Sequence, residues 1–467
     1  MTELAQLAPE KWRSEIEAAT TQRGERFGCA WATREGAWRA VMVSDGRARV
    51  LSCESENGRV ETIVELAAAA LWDEREAHDL YGMCFEGHEP MRPLAAHTAE
   101  LERWVTPVKG DGVYQVAVGP IHAGVIESGH FRFHVVGERI LAMDPRLFYK
   151  HRGLERAAEG LAPDAALAYA ARACAACTVA NSLAYAHAIE DASGLWPSPE
   201  LRRQRTVLLE LERLYNHLHD IGAVCAGVGF APGTMIFATL KDRAQELIAN
   251  AFGHRFLFGT VAVARAPVSP HAAALESLRG GLRELRVDAA AAWRELEFAG
   301  PLQARLGQVG VLTHEDAMRM GAVGPAARAS GVALDARAGN RRLACEGLHP
   351  ASLPDASGDV AARLRIRAVE LEGTHDLLDE LLGAPFSVGA CSRERTPSPI
   401  GVGRVESPRG ETLCTAELRS GRVARMHLRT GSYANWPALA HATTGNLLPD
   451  FPLINKSFEL CYACVDR

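Results

Sequence analysis

The sequence is poor in lysine and has no excess of basic charge. Only five of its 51 basic residues are lysines, and 57 acidic residues give a net charge of −6. Nucleic acids and anionic membrane surfaces attract basic proteins, so the charge gives no support to either as a partner. The 467 residues also contain no run of 18 uncharged apolar residues, because Asp164 and Arg172 interrupt the alanine-rich stretch from Leu161 to Ile189. The sequence therefore predicts no membrane-spanning helix.

The N-terminal residues lack the basic-then-apolar pattern of a secretory signal, which predicts a cytoplasmic protein. With 48% hydrophobic and 23% charged residues, the composition is that of an ordinary globular protein of two or three domains. Disulfides are rare in the cytosol, so the eleven cysteines are expected to be thiols, metal ligands or core residues.

Two Cys-x-x-Cys motifs give the strongest chemical signal, Cys174/Cys177 and Cys461/Cys464. Together they offer four soft ligands, which suit zinc, iron–sulfur or nickel, although cysteine in an alanine-rich helix also serves as a small core residue. Zinc ribbons place their two pairs roughly 15–20 residues apart, far closer than these. A site closed by the C-terminal segment fits the spacing better. The remaining cysteines are expected in the core: Cys29, Cys53, Cys84, Cys225, Cys345, Cys391 and Cys414.

Two further segments carry candidate functional side chains. In the segment from Glu406 to Glu411, proline and glycine flank Arg409, so its guanidinium could be held in a pocket; an exposed turn with a surface ion pair is the alternative. In the segment from Gly119 to Phe133, Glu127 could carry protons if burial raises its pKa. His122 and His130 could bind a metal or a quinone, or serve a structural role.

The pattern of residues predicts an α+β protein with a small α+β domain over 1–108 and a large, mostly helical domain over 109–467. Asp45-Gly46 predicts a hairpin turn, the aliphatic stretch from Val60 to Leu71 a helix, and 105–112 a linker. Ser198-Pro199 marks the start of the clearest helix. One face of that helix is predicted to pack on a core, because it carries an apolar stripe: Val207, Leu208, Leu211, Leu214, Tyr215 and Leu218. Further helices are predicted at 164–190, 239–260, 270–297 and 363–383, and short strands near 112–140 and 400–430.

Several of these segments resemble the large subunit of group 4 nickel–iron hydrogenases, the energy-converting and formate-hydrogenlyase type. The string WDEREAHDLYGMCFEGHEPMR resembles the 30 kDa subunit of respiratory complex I, and the later part is similar to its 49 kDa subunit. The hydrogenase-like motifs occur in order along the chain: GPIHAGVIESGHFRF, FYKHRGLE, RACAACTVANSLAYAHAIE, LLELERLYNHLHDIGAVCAGVGFAPG, VESPRGE and PDFPLINKSFELCYACVDR.

The resemblance implies a nickel–iron centre with diatomic ligands on the iron, held by Cys174, Cys177, Cys461 and Cys464. In the family pattern Cys177 and Cys464 bridge the two metals, and the other two cysteines bind nickel alone. Arg409 matches the arginine that lies over the diatomic ligands and binds at the cofactor, and Glu127 is similar to the glutamate that passes protons. His122 is the candidate quinone or cofactor contact.

The resemblance also implies partners and a place in the cell. Iron–sulfur clusters would lie in a small partner subunit rather than in this chain, beside antiporter-like membrane subunits and formate dehydrogenase or another electron donor. The chain would be peripheral on the cytoplasmic face of the inner membrane.

The sequence departs from the family pattern at Ala175, Asn181, Glu459 and Leu460, where the family has glycine, histidine, aspartate and proline. Asparagine replaces one hydrogen bond of histidine but carries no charge. The expected function is therefore hydrogenase catalysis, with a metal-free, complex I-like quinone module and a zinc-binding scaffold as alternatives.

Overall fold

The computed structural model describes residues 2–44, 47–55, 57–97, 101–121, 127–384 and 386–467. The N-terminal unit contains strands β1 to β6 (Glu3–Leu7, Arg26–Ala32, Ala37–Ser44, Arg47–Glu54, Arg59–Glu61, Cys84–Glu86) and helices α1 to α3 (Trp12–Thr21, Leu71–Tyr81, Leu101–Trp104). Its main sheet has the order β1-β4-β3-β2, with β1 parallel to β4 and the other pairs antiparallel. Strands β5 and β6 form a separate parallel pair.

The predicted hairpin agrees with the antiparallel pairing of β3 and β4, which runs to Ser44 opposite Arg47; the turn residues lie outside the described residues. The helix predicted from Val60 to Leu71 is wrong, because the helix forms in the charged string that follows, as α2. Its acidic residues are buried with partners: Asp73 accepts a 2.9 Å hydrogen bond from Ala30 N and Glu74 one of 2.8 Å from Ile63 N. Tertiary hydrogen bonds of this kind leave no trace in the local pattern.

The second unit is mostly helical, and two three-stranded antiparallel sheets flank the helices. Its strands β7 to β14 are Val113–Val118, His130–Val136, Arg139–Arg146, Leu195–Pro197, Cys391–Arg393, Ile400–Ser407, Gly410–Arg419 and Arg422–Arg429. Its helices α4 to α16 are Leu154–Ala158, Pro163–Ala171, Thr178–Ala192, Pro199–Gly227, Ala231–Phe252, Ala272–Glu297, Gly300–Leu306, His314–Arg319, Gly324–Ala329, Val360–Leu381, Gly431–Thr443, Phe451–Phe458 and Ala463–Asp466. The α+β fold class is confirmed.

The long helix α7 begins where the sequence predicts it, with the Ser198 hydroxyl accepting a 3.3 Å hydrogen bond from Leu201 N. The single helix predicted over 164–190 is wrong, since α5 and α6 are separated by the loop that holds the first cysteine pair. Alanine favours helix throughout this stretch, and its uniform side chains give no periodic signal for the break.

Every residue of α6 is buried, because the helix lies directly on strand β12. Two glycines of β12 make this close approach possible. A Cβ atom on Gly403 would lie 1.8 Å from the carbonyl oxygen of Ala184, and one on Gly401 would lie 2.1 Å from that of Ala188. The small side chains on both surfaces thus fix the position of α6, whose first turn follows Cys177. None of the described helices is long and apolar enough to cross a bilayer.

Candidate metal centre

Two cysteine pairs from distant parts of the chain lie together beside the first turn of α6. Cys174 and Cys177 occupy the loop before α6, whereas Cys461 precedes α16 and Cys464 lies within it. The Sγ atoms of Cys174 and Cys461 are 3.0 Å apart, and those of Cys174, Cys177 and Cys464 all lie within 4.8 Å of one another. The structure therefore brings together the four thiols that the sequence marks as candidate ligands.

The four thiols differ in pKa. Hydrogen bonds from Cys177, Cys461 and Cys464 keep the pKa of the Cys174 thiol well below its usual value. Contact with Cys174 in turn raises the pKa of Cys177 and of Cys461. Soft metal ions bind cysteine as the thiolate, so binding of such an ion to these clustered sulfurs would release the protons of the other thiols.

Helix α7 supports the loop that carries the first cysteine pair. Asn216 Nδ2 donates a 2.8 Å hydrogen bond to the carbonyl oxygen of Ala176. One turn earlier, the buried Glu212 carboxyl accepts hydrogen bonds of 2.6 and 3.0 Å from Val179 N and Ala180 N, two of the free N–H groups at the start of α6. Burial raises the pKa of Glu212 to about 8. Sequence reasoning missed both side chains, although they stand among the apolar residues of the predicted core-facing stripe.

The C-terminal segment is fixed by hydrogen bonds to the loop after β9. The Asp466 carboxylate accepts from Phe148 N at 2.7 Å and from Lys150 N at 2.8 Å. Arg467 lies buried and forms ion pairs with Glu76 and Glu155. These contacts hold α16, and with it the second cysteine pair, against the rest of the protein.

Arg409 lies in the turn between β12 and β13 and is only 5% exposed, so the exposed-turn alternative is wrong. Its Nε donates a 2.8 Å hydrogen bond to Glu459 O, and its Nη2 lies 2.9 Å from Asp220 Oδ1. Burial acts to lower the pKa of Arg409, but the negative charge of Asp220 outweighs it and raises that pKa. Its Nη1 has no hydrogen-bond partner among the described residues. The guanidinium is thus a fixed cation next to the sulfur cluster.

Glu127 contacts the segment that carries the second cysteine pair. Its Oε2 accepts a 2.8 Å hydrogen bond from Ala463 N and is 3.8 Å from Cys461 Sγ. Burial raises the pKa of this carboxyl. The group is therefore placed to exchange a proton with the Cys461 sulfur.

The two candidate histidines, and the residues that depart from the family pattern, are placed as follows in the structure. His122 lies outside the described residues, and His130 is placed for a structural contact, with its Nδ1 3.1 Å from Gly119 O. Asn181 Nδ2 lies 4.0 Å from Cys464 Sγ, whereas its Oδ1 has no hydrogen-bond partner within the described ranges. The Glu459 carboxylate is 3.3 Å from the exposed His219. Asp220, which anchors Arg409, was also missed by sequence reasoning.

Comparison with known proteins identifies the family. The model of the respiratory-chain NADH dehydrogenase 49 Kd subunit matches residues 228–385 and 386–467, and that of the 30 Kd subunit matches 15–111. Formate hydrogenlyase subunit 5 of Escherichia coli is 30% identical, over 85% of this chain and 75% of the relative. Hydrogenase-4 component G of the same organism is 28% identical, over 89% of this chain and 77% of the relative.

A solved structure shares the fold. A chain of an archaeal respiratory membrane complex, the membrane-bound sulfane sulfur reductase, matches with a TM-score of 0.66 and 24% identity, over 78% of this chain and 100% of that chain. The resemblance seen in the sequence is confirmed: this chain belongs to the family of the complex I 49 kDa subunit and the group 4 hydrogenase large subunits, and it carries a 30 kDa-type segment before the family region.

Proposed function

We propose that this chain is the large catalytic subunit of an energy-converting nickel–iron hydrogenase, an oxidoreductase that interconverts H2 with protons and electrons. The observation that carries the proposal is the convergence of four cysteine sulfurs, a buried guanidinium and a carboxyl group on one cluster. The hydrogenase relatives support it. Residues 1–108 would form the 30 kDa-like domain and 109–467 the hydrogenase-like domain.

The residues at the cluster fit a nickel–iron centre. Four thiols supply the soft donors that such metals require, and the unpartnered Nη1 of Arg409 fits a hydrogen bond to diatomic ligands on iron. In this proposal Cys174, Cys177, Cys461 and Cys464 would hold the nickel–iron centre through their sulfurs. When bound, the centre would supply the two-electron redox chemistry that amino-acid side chains lack.

Two side chains of the protein act beside the proposed centre. Glu127 exchanges a proton with the Cys461 sulfur, because its carboxyl lies within hydrogen-bond distance and its pKa is raised. Arg409 holds a permanent positive charge at a fixed position, because guanidinium does not lose its proton in proteins and Asp220 anchors it.

Electrons leave through a partner in this proposal. Among the described residues, no cysteine outside the cluster belongs to a group of three or more metal-ligating side chains. An iron–sulfur small subunit would therefore carry the clusters, with antiporter-like membrane subunits and formate dehydrogenase or another electron donor completing the complex. The chain would lie on the cytoplasmic face of the inner membrane through these subunits.

Metal analysis of the native complex tests the proposal. We expect one nickel and one iron at the cluster of each chain, beyond the iron of partner clusters, and reduction of a viologen dye that depends on H2. The measurements are elemental analysis and anaerobic dye reduction. Zinc in place of nickel would overturn the proposal, as would quinone reduction by a nickel-free complex whose cysteines are replaced with serine, since that result fits the complex I-like alternative.

Replacing Glu127 with glutamine is expected to lower H2-dependent dye reduction about a hundredfold, because the amide cannot take up a proton. Nickel content should not change, since the metal ligands are intact. Glu138→Gln is the matched control, because Glu138 is exposed on the neighbouring hairpin of β8 and β9. Equal activity in E127Q and E138Q would contradict the role of Glu127.

A further inference from the structure

A cavity lined by arginines, which we call the basic pocket, lies between the N-terminal sheet and the helical unit. Its volume is about 330 Å³, within the range of roughly 300–1,000 Å³ that is typical of small-molecule sites. Five guanidinium groups and one indole ring line it: Arg47, Arg341, Arg342, Arg395, Arg404 and Trp196. This concentration of positive charge stands out in a chain whose net charge is −6.

Two of the five arginines are held by carboxylates. Arg342 forms ion pairs with Glu190 at 3.4 Å and with Asp191 at 3.5 Å, and Arg404 forms one with Glu411 at 3.0 Å. Asp191 lines the pocket as well, but its Oδ2 also accepts hydrogen bonds from the hydroxyl and amide groups of Thr2. These ion pairs fix the positions of Arg342 and Arg404 on one side of the pocket.

The other three arginines carry unbalanced charge. Arg47, Arg341 and Arg395 are exposed, and none has a carboxylate partner in the part of the chain that the structure describes. Guanidinium groups bind phosphate oxygens through paired, charge-assisted hydrogen bonds. Each phosphate carries between one and two negative charges near neutral pH, so two linked phosphates would balance these three cations.

The indole of Trp196 adds a flat, half-exposed surface to the pocket. The guanidinium carbons of Arg342 and Arg395 lie 4.8 and 5.0 Å from its ring centroid, which fixes the ring next to the cationic groups. A planar base attached to the phosphates would contact the exposed part of this indole, beside the two guanidinium groups that lie over its ring.

We propose that the basic pocket is a binding site for a small ligand with a diphosphate group, either free pyrophosphate or the diphosphate of a nucleotide. The site is separate from the cysteine cluster. Helix α6 connects the two, beginning after Cys177 and ending at Ala192 beside the pocket, and its 15 residues span roughly 22 Å. The proposal is thus independent of the hydrogenase proposal.

Calorimetric titration of the purified complex with inorganic pyrophosphate at low ionic strength tests the site. We expect one ligand per chain, and about tenfold or greater weakening in the double variant R341Q/R395Q, because two charge-assisted contacts are lost. The control is R243Q/R255Q, which removes two exposed, ion-paired arginines from another surface and should bind as the unmodified protein does.

The same titration with ADP distinguishes the two sources of the diphosphate. Tighter binding of ADP than of pyrophosphate, lost in the variant W196L, indicates a nucleotide, whereas equal binding of both indicates free diphosphate. The proposal is overturned if neither compound binds at millimolar concentration, or if R243Q/R255Q weakens binding as much as R341Q/R395Q does.

Discussion

Replacement of Cys464 by serine is expected to remove nickel from the protein and to abolish H2-dependent dye reduction. The Cys464 side chain is fully buried, and its Sγ lies within 4.8 Å of those of Cys174 and Cys177. A serine hydroxyl has nearly the same shape, but it is a hard donor that does not ionise at neutral pH. It therefore cannot replace a thiolate ligand. We expect activity to fall at least about a thousandfold, because the proposed redox centre is lost.

Elemental analysis and dye reduction on the same preparation measure this effect. Cys84→Ser is the matched control. The sequence-based expectation of a core position is wrong for Cys84, which is an exposed thiol in β6, in the N-terminal unit. It should retain both metal and activity. Full activity with a normal nickel content in C464S would show that Cys464 is not a ligand, and the proposed metal site would fail with it.

Replacement of Arg409 by lysine is expected to lower activity between about a hundredfold and a thousandfold, while nickel content remains unchanged. The guanidinium reaches the Glu459 carbonyl and the Asp220 carboxylate simultaneously, and its buried Nη1 has no hydrogen-bond partner among the described residues. A lysine keeps the charge, but its single ammonium group cannot make both contacts and still present a donor in the same place.

Arg319→Lys provides the control, because Arg319 forms an exposed ion pair with Asp316 on α11, and exposed pairs contribute little. Nickel content distinguishes a loss of catalysis from a loss of assembly. If R409K were as active as R319K, the fixed guanidinium would have no part in the reaction.

Local sequence signals predicted the main helix and the residues of the cysteine cluster. The capping pair Ser198-Pro199 and an apolar stripe located α7, and the spacing of the cysteines marked both halves of the cluster. The break between α5 and α6 was not predictable, because a run of alanines has no polar face to show where a helix ends.

The residues that support the cluster could not be predicted from the sequence either. Glu212, Asn216 and Asp220 are identified only by their partners, which lie up to about 190 positions away in the chain: Val179, Ala176 and Arg409. On a single sequence, a buried carboxylate in a helix is indistinguishable from one on a solvated face. The distinction requires the tertiary structure, because buried polar groups are defined by the contacts that satisfy them.

These three residues stand four positions apart on α7, and therefore project from the same side of that helix. Glu212 holds the first turn of α6, Asn216 holds the loop with Cys174 and Cys177, and Asp220 holds Arg409. One helix, α7, therefore positions both the loop with the first cysteine pair and the guanidinium of Arg409. A displacement of α7 would therefore disturb the first cysteine pair and the guanidinium together.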